Sequence, residues 1–138
     1  MSFASEVKHA SNVIGKSFDE TAKQVTFALF KAVIVSTPVD TGRLRGNWQT
    51  TKNSPAKGTT NRRGQSGAIS EARSTINKAG LYYLTNNLPY AAVAEYGLWG
   101  KGSGATHKTA GTGFSIQAPH GMVRVNVVRM RAKLRALK

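Results

Sequence analysis

Between Ser5 and Ser36 the chain contains no proline, and Phe18, Ala22, Val25, Leu29 and Ala32 recur at the spacing of one helix face. The spacing predicts a long amphipathic helix, or two collinear helices broken near Gly15. From Phe27 to Val35 every residue except Lys31 is apolar or small, a run that predicts burial between a sheet and a second surface, which a neighbouring subunit would supply. Pro38 ends the helix by disfavouring helical backbone at Thr37, and Gly42 offers a turn at positive φ.

Period two replaces period 3.6 after that turn. Leu44, Gly46, Trp48 and Thr50 alternate with polar positions, which predicts a strand over 44–51 anchored by Trp48. The segment 52–67 is rich in Lys, Arg, Ser, Thr, Asn and Gly and reads as a mobile basic loop. A second strand is expected over 68–76 and a third over 81–85, followed by a turn at Asn86-Asn87. Leu88-Pro89-Tyr90 opens a short helix that Gly97 closes. The segment 97–115 carries five glycines between positions 100 and 113 and no apolar period, so a long loop is expected there. In the basic C-terminal segment 122–138, Val123, Val127, Met130, Leu134 and Leu137 form a helical stripe. Val123, Val125 and Val127 suit a strand equally well, which leaves extended chain through about Val127 or helix throughout.

These elements describe one α+β domain over residues 1–138, in which a long N-terminal helix and a second helix pack on a small antiparallel sheet with long loops. The length agrees with a single domain, because 138 residues, 40% of them hydrophobic, suffice for one core. The chain has no cysteine, so disulfides and thiolate metal sites are excluded. No apolar stretch approaches the ~18 residues of a membrane span, and the first residues lack the pattern of a secretory signal, so a soluble protein is expected.

Charge divides the chain. Residues 1–40 balance Lys8, Lys16, Lys23 and Lys31 against Glu6, Asp19, Glu20 and Asp40, so the remainder, whose acids are Glu71 and Glu95, carries the entire +14. Such an excess draws a polyanion: nucleic acid, an acidic protein or an anionic surface. Lys52, Lys57, Arg62 and Arg63 in the loop, and Arg124, Arg129, Arg131, Lys133, Arg135 and Lys138 at the C-terminus, are the candidate contacts to DNA or to an acidic partner.

Catalytic readings find little support. Asp40-Thr41-Gly42 matches an aspartic-protease triplet, but it follows a helix and a proline and precedes Arg43 and Arg45, which would keep the carboxylate ionised rather than sharing a proton. The structural reading has Asp40 accepting turn N–H groups or pairing with Arg43 or Arg45. Gly15-Lys16-Ser17 has Ala10 where a phosphate-binding loop needs glycine, and no strand precedes it. His9, His107 and His120 lie far apart, without ligand-like spacing to the few carboxylates. No enzyme, metal or cofactor is expected. Tyr82, Tyr83, Tyr90, Tyr96 and Trp48 read as core or interface, and Trp99, among glycines, as an exposed anchor.

Three motifs resemble one family in order: Pro38-Val39-Asp40-Thr41-Gly42-Arg43-Leu44-Arg45, then Pro89-Tyr90-Ala91-Ala92-Val93-Ala94-Glu95-Tyr96-Gly97, and more weakly Ala118-Pro119-His120-Gly121-Met122-Val123. The chain resembles the small bacteriophage proteins that join head to tail, the neck or tail-completion proteins. The resemblance implies a structural virion protein at the head-tail junction, made in the host bacterial cytoplasm. It would form a homo-oligomeric ring, of six or twelve copies, around the DNA exit channel, touching portal or adaptor and tail-tube or tail-terminator proteins and no membrane. Pro38, Asp40, Thr41, Gly42, Leu44 and Arg45 form the motif turn. Arg43, Tyr90, Glu95, Tyr96, Gly97 and Trp99 are the candidate subunit interface, with Glu95 pairing with Arg43 or Arg45 of a neighbour. A tail terminator and a free basic nucleic-acid-binding protein are the alternatives.

Overall fold

The computed structural model describes residues 2–99 and 112–137. Helix α1 (Phe3–Ile14) starts at Ser2, whose hydroxyl accepts the Ser5 N–H at 3.1 Å, and stops at Gly15 in the left-handed region, φ 74°. Helix α2 (Phe18–Ser36) starts at Ser17, which accepts the Glu20 N–H at 3.1 Å, with Asp19 and Glu20 at the positive end of the helix dipole. The two helices are not collinear. The left-handed turn at Gly15 folds α1 back, so Val7 and Ala10 pack with Ala22 and Val25.

Thr37 is extended, as its place before Pro38 requires, and α2 ends there. The chain then makes a single helical turn, α3 (Arg43–Gly46), before strand β1 (Gln49–Lys52). The predicted strand over 44–51 is thus correct only in its second half: Leu44 is buried from a helical turn, and Trp48 is buried ahead of the strand. A larger correction concerns 68–76, which lies in helix α4 (Ser66–Thr75) and the residue that caps it. Ala68, Ala72 and Ile76 are buried at i, i+4 and i+8, and this spacing satisfies period two and period 3.6 alike. The third expected strand is present as β2 (Tyr82–Thr85). It pairs antiparallel with β1 in the register Gln49 to Thr85 through Lys52 to Tyr82, so the sheet has two strands and not three.

Helix α5 (Pro89–Tyr96) has Pro89 in its first turn and Gly97 at φ 68° as its cap, as the sequence predicts. Helix α6 (Val123–Arg135) resolves the C-terminal ambiguity in favour of helix throughout. The fold is therefore α+β, with a long N-terminal helical segment and a small antiparallel sheet.

Two apolar clusters hold it together. The larger joins Val33 and Ile34 of α2, Leu44, Trp48, Ala68 of α4, Leu88, Ala91 and Ala94 of α5, Ala118 and Met122. The smaller joins Val7, Ala10, Val25 and Leu134, with Phe3, Ala22, Met130 and Leu137 against them. In a single chain, Phe27, Leu29 and Phe30 are half-buried and Val35 is exposed, so the apolar run of α2 is only partly covered.

Candidate interaction surface

The first motif is a structural joint. Thr37 donates its hydroxyl to the Val33 carbonyl at 2.8 Å and accepts the Trp48 indole N–H at 2.7 Å. Arg45 reaches back to the same place, donating to the carbonyls of Thr37 at 2.7 and 3.1 Å and of Val35 at 2.9 Å. Its guanidinium thereby covers carbonyls left over at the C-terminus of α2, where the helix dipole favours a cation. Burial lowers the Arg45 guanidinium below its ordinary value. Gly42 stands at φ 83°, and a Cβ on it would lie 2.8 Å from the Gly64 nitrogen, so the position takes only glycine without strain. Asp40 is exposed and makes no hydrogen bond or ion pair among the described residues, contrary to the expected turn or arginine contact.

The second and third motifs meet at Glu95. No side chain next to the start of α6 caps that helix. Glu95 does so from α5: its carboxylate accepts the N–H groups of Met122 at 2.7 Å, Val123 at 2.8 Å and Arg124 at 3.1 Å. The Arg124 guanidinium adds an Nε bond at 2.8 Å to the same carboxylate and lies 4.5 Å from the Tyr96 ring centroid. Burial pushes the Glu95 carboxyl up, but the N–H groups of Val123 and Met122, together with Arg124, outweigh it and hold the group below the ordinary carboxylate value. Gly121 must be glycine for this contact, since a Cβ would sit 2.6 Å from the Glu95 carbonyl oxygen. Glu95 is spent within the chain, so its expected pairing with Arg43 or Arg45 of a neighbour is corrected. Gly97 and Tyr90 also face inward, Gly97 against the Phe114 ring and Tyr90 against the larger cluster. Trp99 packs on that cluster as well and is half-buried rather than an exposed anchor.

Several expected polyanion contacts are likewise engaged within the fold. Arg131 and Arg135 both donate to Glu6 at 2.9 Å, joining the first helix to the last around a carboxylate that is 1% exposed. The hydrogen bond from Arg131 holds the Glu6 carboxyl below its ordinary value. Arg62 pairs with Glu71 at 3.2 Å and donates to the carbonyls of Trp48 at 2.8 Å and Gly46 at 3.1 Å. With Thr60 accepted by Asn47 at 2.8 Å, these bonds pin the second half of the loop that was expected to be mobile. Lys52, Lys57, Arg63, Arg129 and Lys133 are exposed, without such partners among the described residues. Lys138, His107 and the centre of the 97–115 loop lie outside the described residues. Among the described residues there is no cluster of three or more potential metal ligands, and no helix is long and apolar enough to cross a membrane.

Val35, Val39, Leu81 and Ile116 are exposed as well, and the other exposed large apolar side chains among the described residues form two groups. At the α1–α2 turn stand Val13, Ile14 (45% exposed) and Phe18, beside Asp19 and Glu20. Around the α5–α6 junction stand Tyr96, Leu98 (63%) and Val128 (68%), with Phe114 and Val128 lining one depression beside Arg124. The clusters flank opposite ends of α6, because Leu134 and Leu137 pack towards α1 while Glu95 holds the N-terminus. Glu95 was legible as one of two acids after Asp40, Glu6 was not singled out, and the way each joins distant helices depends on a packing that no local spacing reveals.

No family model, no curated protein and no solved structure matches this chain.

Proposed function

We propose that this chain is a structural subunit that assembles head to tail into a ring at a phage head-tail junction. The observation that carries the reading is the pair of unlike apolar clusters, one at the α1–α2 turn and one at the α5–α6 junction. A two-fold contact uses one patch twice, whereas a heterologous contact needs two different patches and closes into a ring when the rotation allows. Charge supports the pairing: exposed Asp19 and Glu20 adjoin the first cluster, although Lys16 is also there, and the exposed Arg129 adjoins the second, where Arg124 is already paired with Glu95. The motif order agrees, with the motif turns serving as internal joints that hold the two clusters in a fixed relation. A tail terminator shares this logic, and the copy number in a particle separates the two.

The test is a mixing experiment with Phe18→Asp and Leu98→Asp under conditions in which the unaltered chain assembles. Each variant alone should stay monomeric, and the equimolar mixture should stop at a one-to-one dimer in native mass spectrometry, since a single intact contact remains. Homodimers of either variant alone would show an isologous contact and overturn the head-to-tail ring.

A further inference from the structure

We propose that the cleft formed by Arg43, Asn61 and Arg63 binds phosphate groups of a DNA backbone. These three side chains line a polar cleft of ≈ 440 Å³ between the motif turn and the pinned half of the loop. Sequence places Arg43 and Arg63 far apart, and the fold brings them to one opening.

None of the three side chains makes a hydrogen bond or an ion pair among the described residues. The acids that might have neutralised them are used elsewhere: Glu71 holds Arg62, Glu95 holds Arg124, and Glu6 holds Arg131 and Arg135. Asp40, nearest in sequence to Arg43, pairs with neither arginine. Two guanidinium forks and an amide donor matched to no internal acceptor suit an oxyanion whose oxygens accept bidentate bonds.

The walls of the cleft are fixed. Gly64 donates its N–H to the Gly42 carbonyl at 2.8 Å, and Gly46 lies so close to the loop that a Cβ on it would stand 2.3 Å from the Arg62 carbonyl oxygen. The Arg62 side chain, bonded to Gly46, Trp48 and Glu71, keeps its neighbour Arg63 opposite Arg43. Little backbone ordering is then needed on binding, which favours affinity. The exposed Lys52 and Lys57 earlier in the same loop add to the field that a polyanion feels and a single free anion feels less.

The anion site stands on this geometry alone, while DNA as its source rests on the reading of a ring around an exit channel. The experiment is fluorescence anisotropy with a labelled duplex of mixed sequence across a range of salt. It compares the unaltered chain with Arg43→Gln/Arg63→Gln and with Arg129→Gln/Lys133→Gln, which removes the same charge elsewhere. The cleft pair should weaken binding roughly tenfold or more near 0.1 M salt and reduce the log–log salt slope by about 1.8, since each phosphate contact contributes about 0.9. The α6 pair should lose markedly less. NMR of the unaltered chain should show the Arg43 and Arg63 Nε–Hε signals shifting as duplex is added. Equal losses in the two pairs, or arginine signals that neither duplex nor inorganic phosphate moves, would overturn the site. Displacement of duplex by polyglutamate at equal charge would assign the cleft to an acidic protein, and saturation of those signals by inorganic phosphate without competition from duplex would assign it to a free anion. Either overturns DNA. Assembly is read separately by native mass spectrometry, so a failed cleft leaves the ring reading standing, and a failed ring leaves the anion site standing.

Discussion

Replacing Glu95 by glutamine preserves the shape of the side chain and removes the charge at which three helix N–H groups and one guanidinium point. Hydrogen bonds to a charged group contribute about 1.5–3 kcal/mol each, so Glu95→Gln should lower stability by at least ~1.5 kcal/mol, with the urea midpoint falling and the slope unchanged. Because the folded carboxyl lies below its ordinary value of 4.5, its contribution is complete above that pH and is lost as pH falls through the folded value. The variant should therefore show a shallower loss of stability below pH 4.5. Gly97→Ala makes a different point: at φ 68°, with a Cβ 2.4 Å from the Phe114 ring, it should cost at least ~1 kcal/mol from backbone strain alone, read from thermal melts. The sequence showed that Glu95 was scarce and that Gly97 closed a helix. It did not show that the glutamate caps a different helix, because that contact spans a segment with no periodicity.

At the scale of elements, the joint between α2 and α3 depends on Arg45 as a planar fork. Lysine offers a point charge that cannot satisfy the Thr37 and Val35 carbonyls together, so Arg45→Lys should destabilise by about 1–2 kcal/mol despite keeping its charge. Hydrogen exchange should locate the loss in the last turn of α2. Helix ends marked by proline and glycine were readable from sequence: Pro38, Pro89 and Gly97 all stand where the structure uses them, whereas the Ser17 cap that starts α2 emerges only from the structure. Segment 68–76 was not readable either, since alanines at 68 and 72 and isoleucine at 76 fit either period. The good helix propensity of alanine and the packing of α4 on α2 and β1 decide it. Leu44 was likewise misread because a one-turn helix is shorter than any period can reveal.

Across the whole molecule, Glu6 ties the first helix to the last through Arg131 and Arg135. The Arg131 hydrogen bond holds its carboxyl low, so this clasp too is complete above pH 4.5 and opens as pH falls through the folded value. Amides of α1 and of the C-terminal half of α6 should lose exchange protection in acid before those of α4 and α5, and Glu6→Gln should produce the same pattern at neutral pH. The basic excess that suggested a polyanion survives this accounting only in part: Arg62, Arg124, Arg131 and Arg135 are engaged internally, and Arg43 and Arg63 take their place as the organised pair. The central claim, a ring at a head-tail junction, is tested most directly by the copy number of this chain relative to the portal, measured by quantitative mass spectrometry in purified virions. A fixed ratio near one half or one to one with a twelve-subunit portal is the expected result, and absence of the chain from the particles would contradict the account.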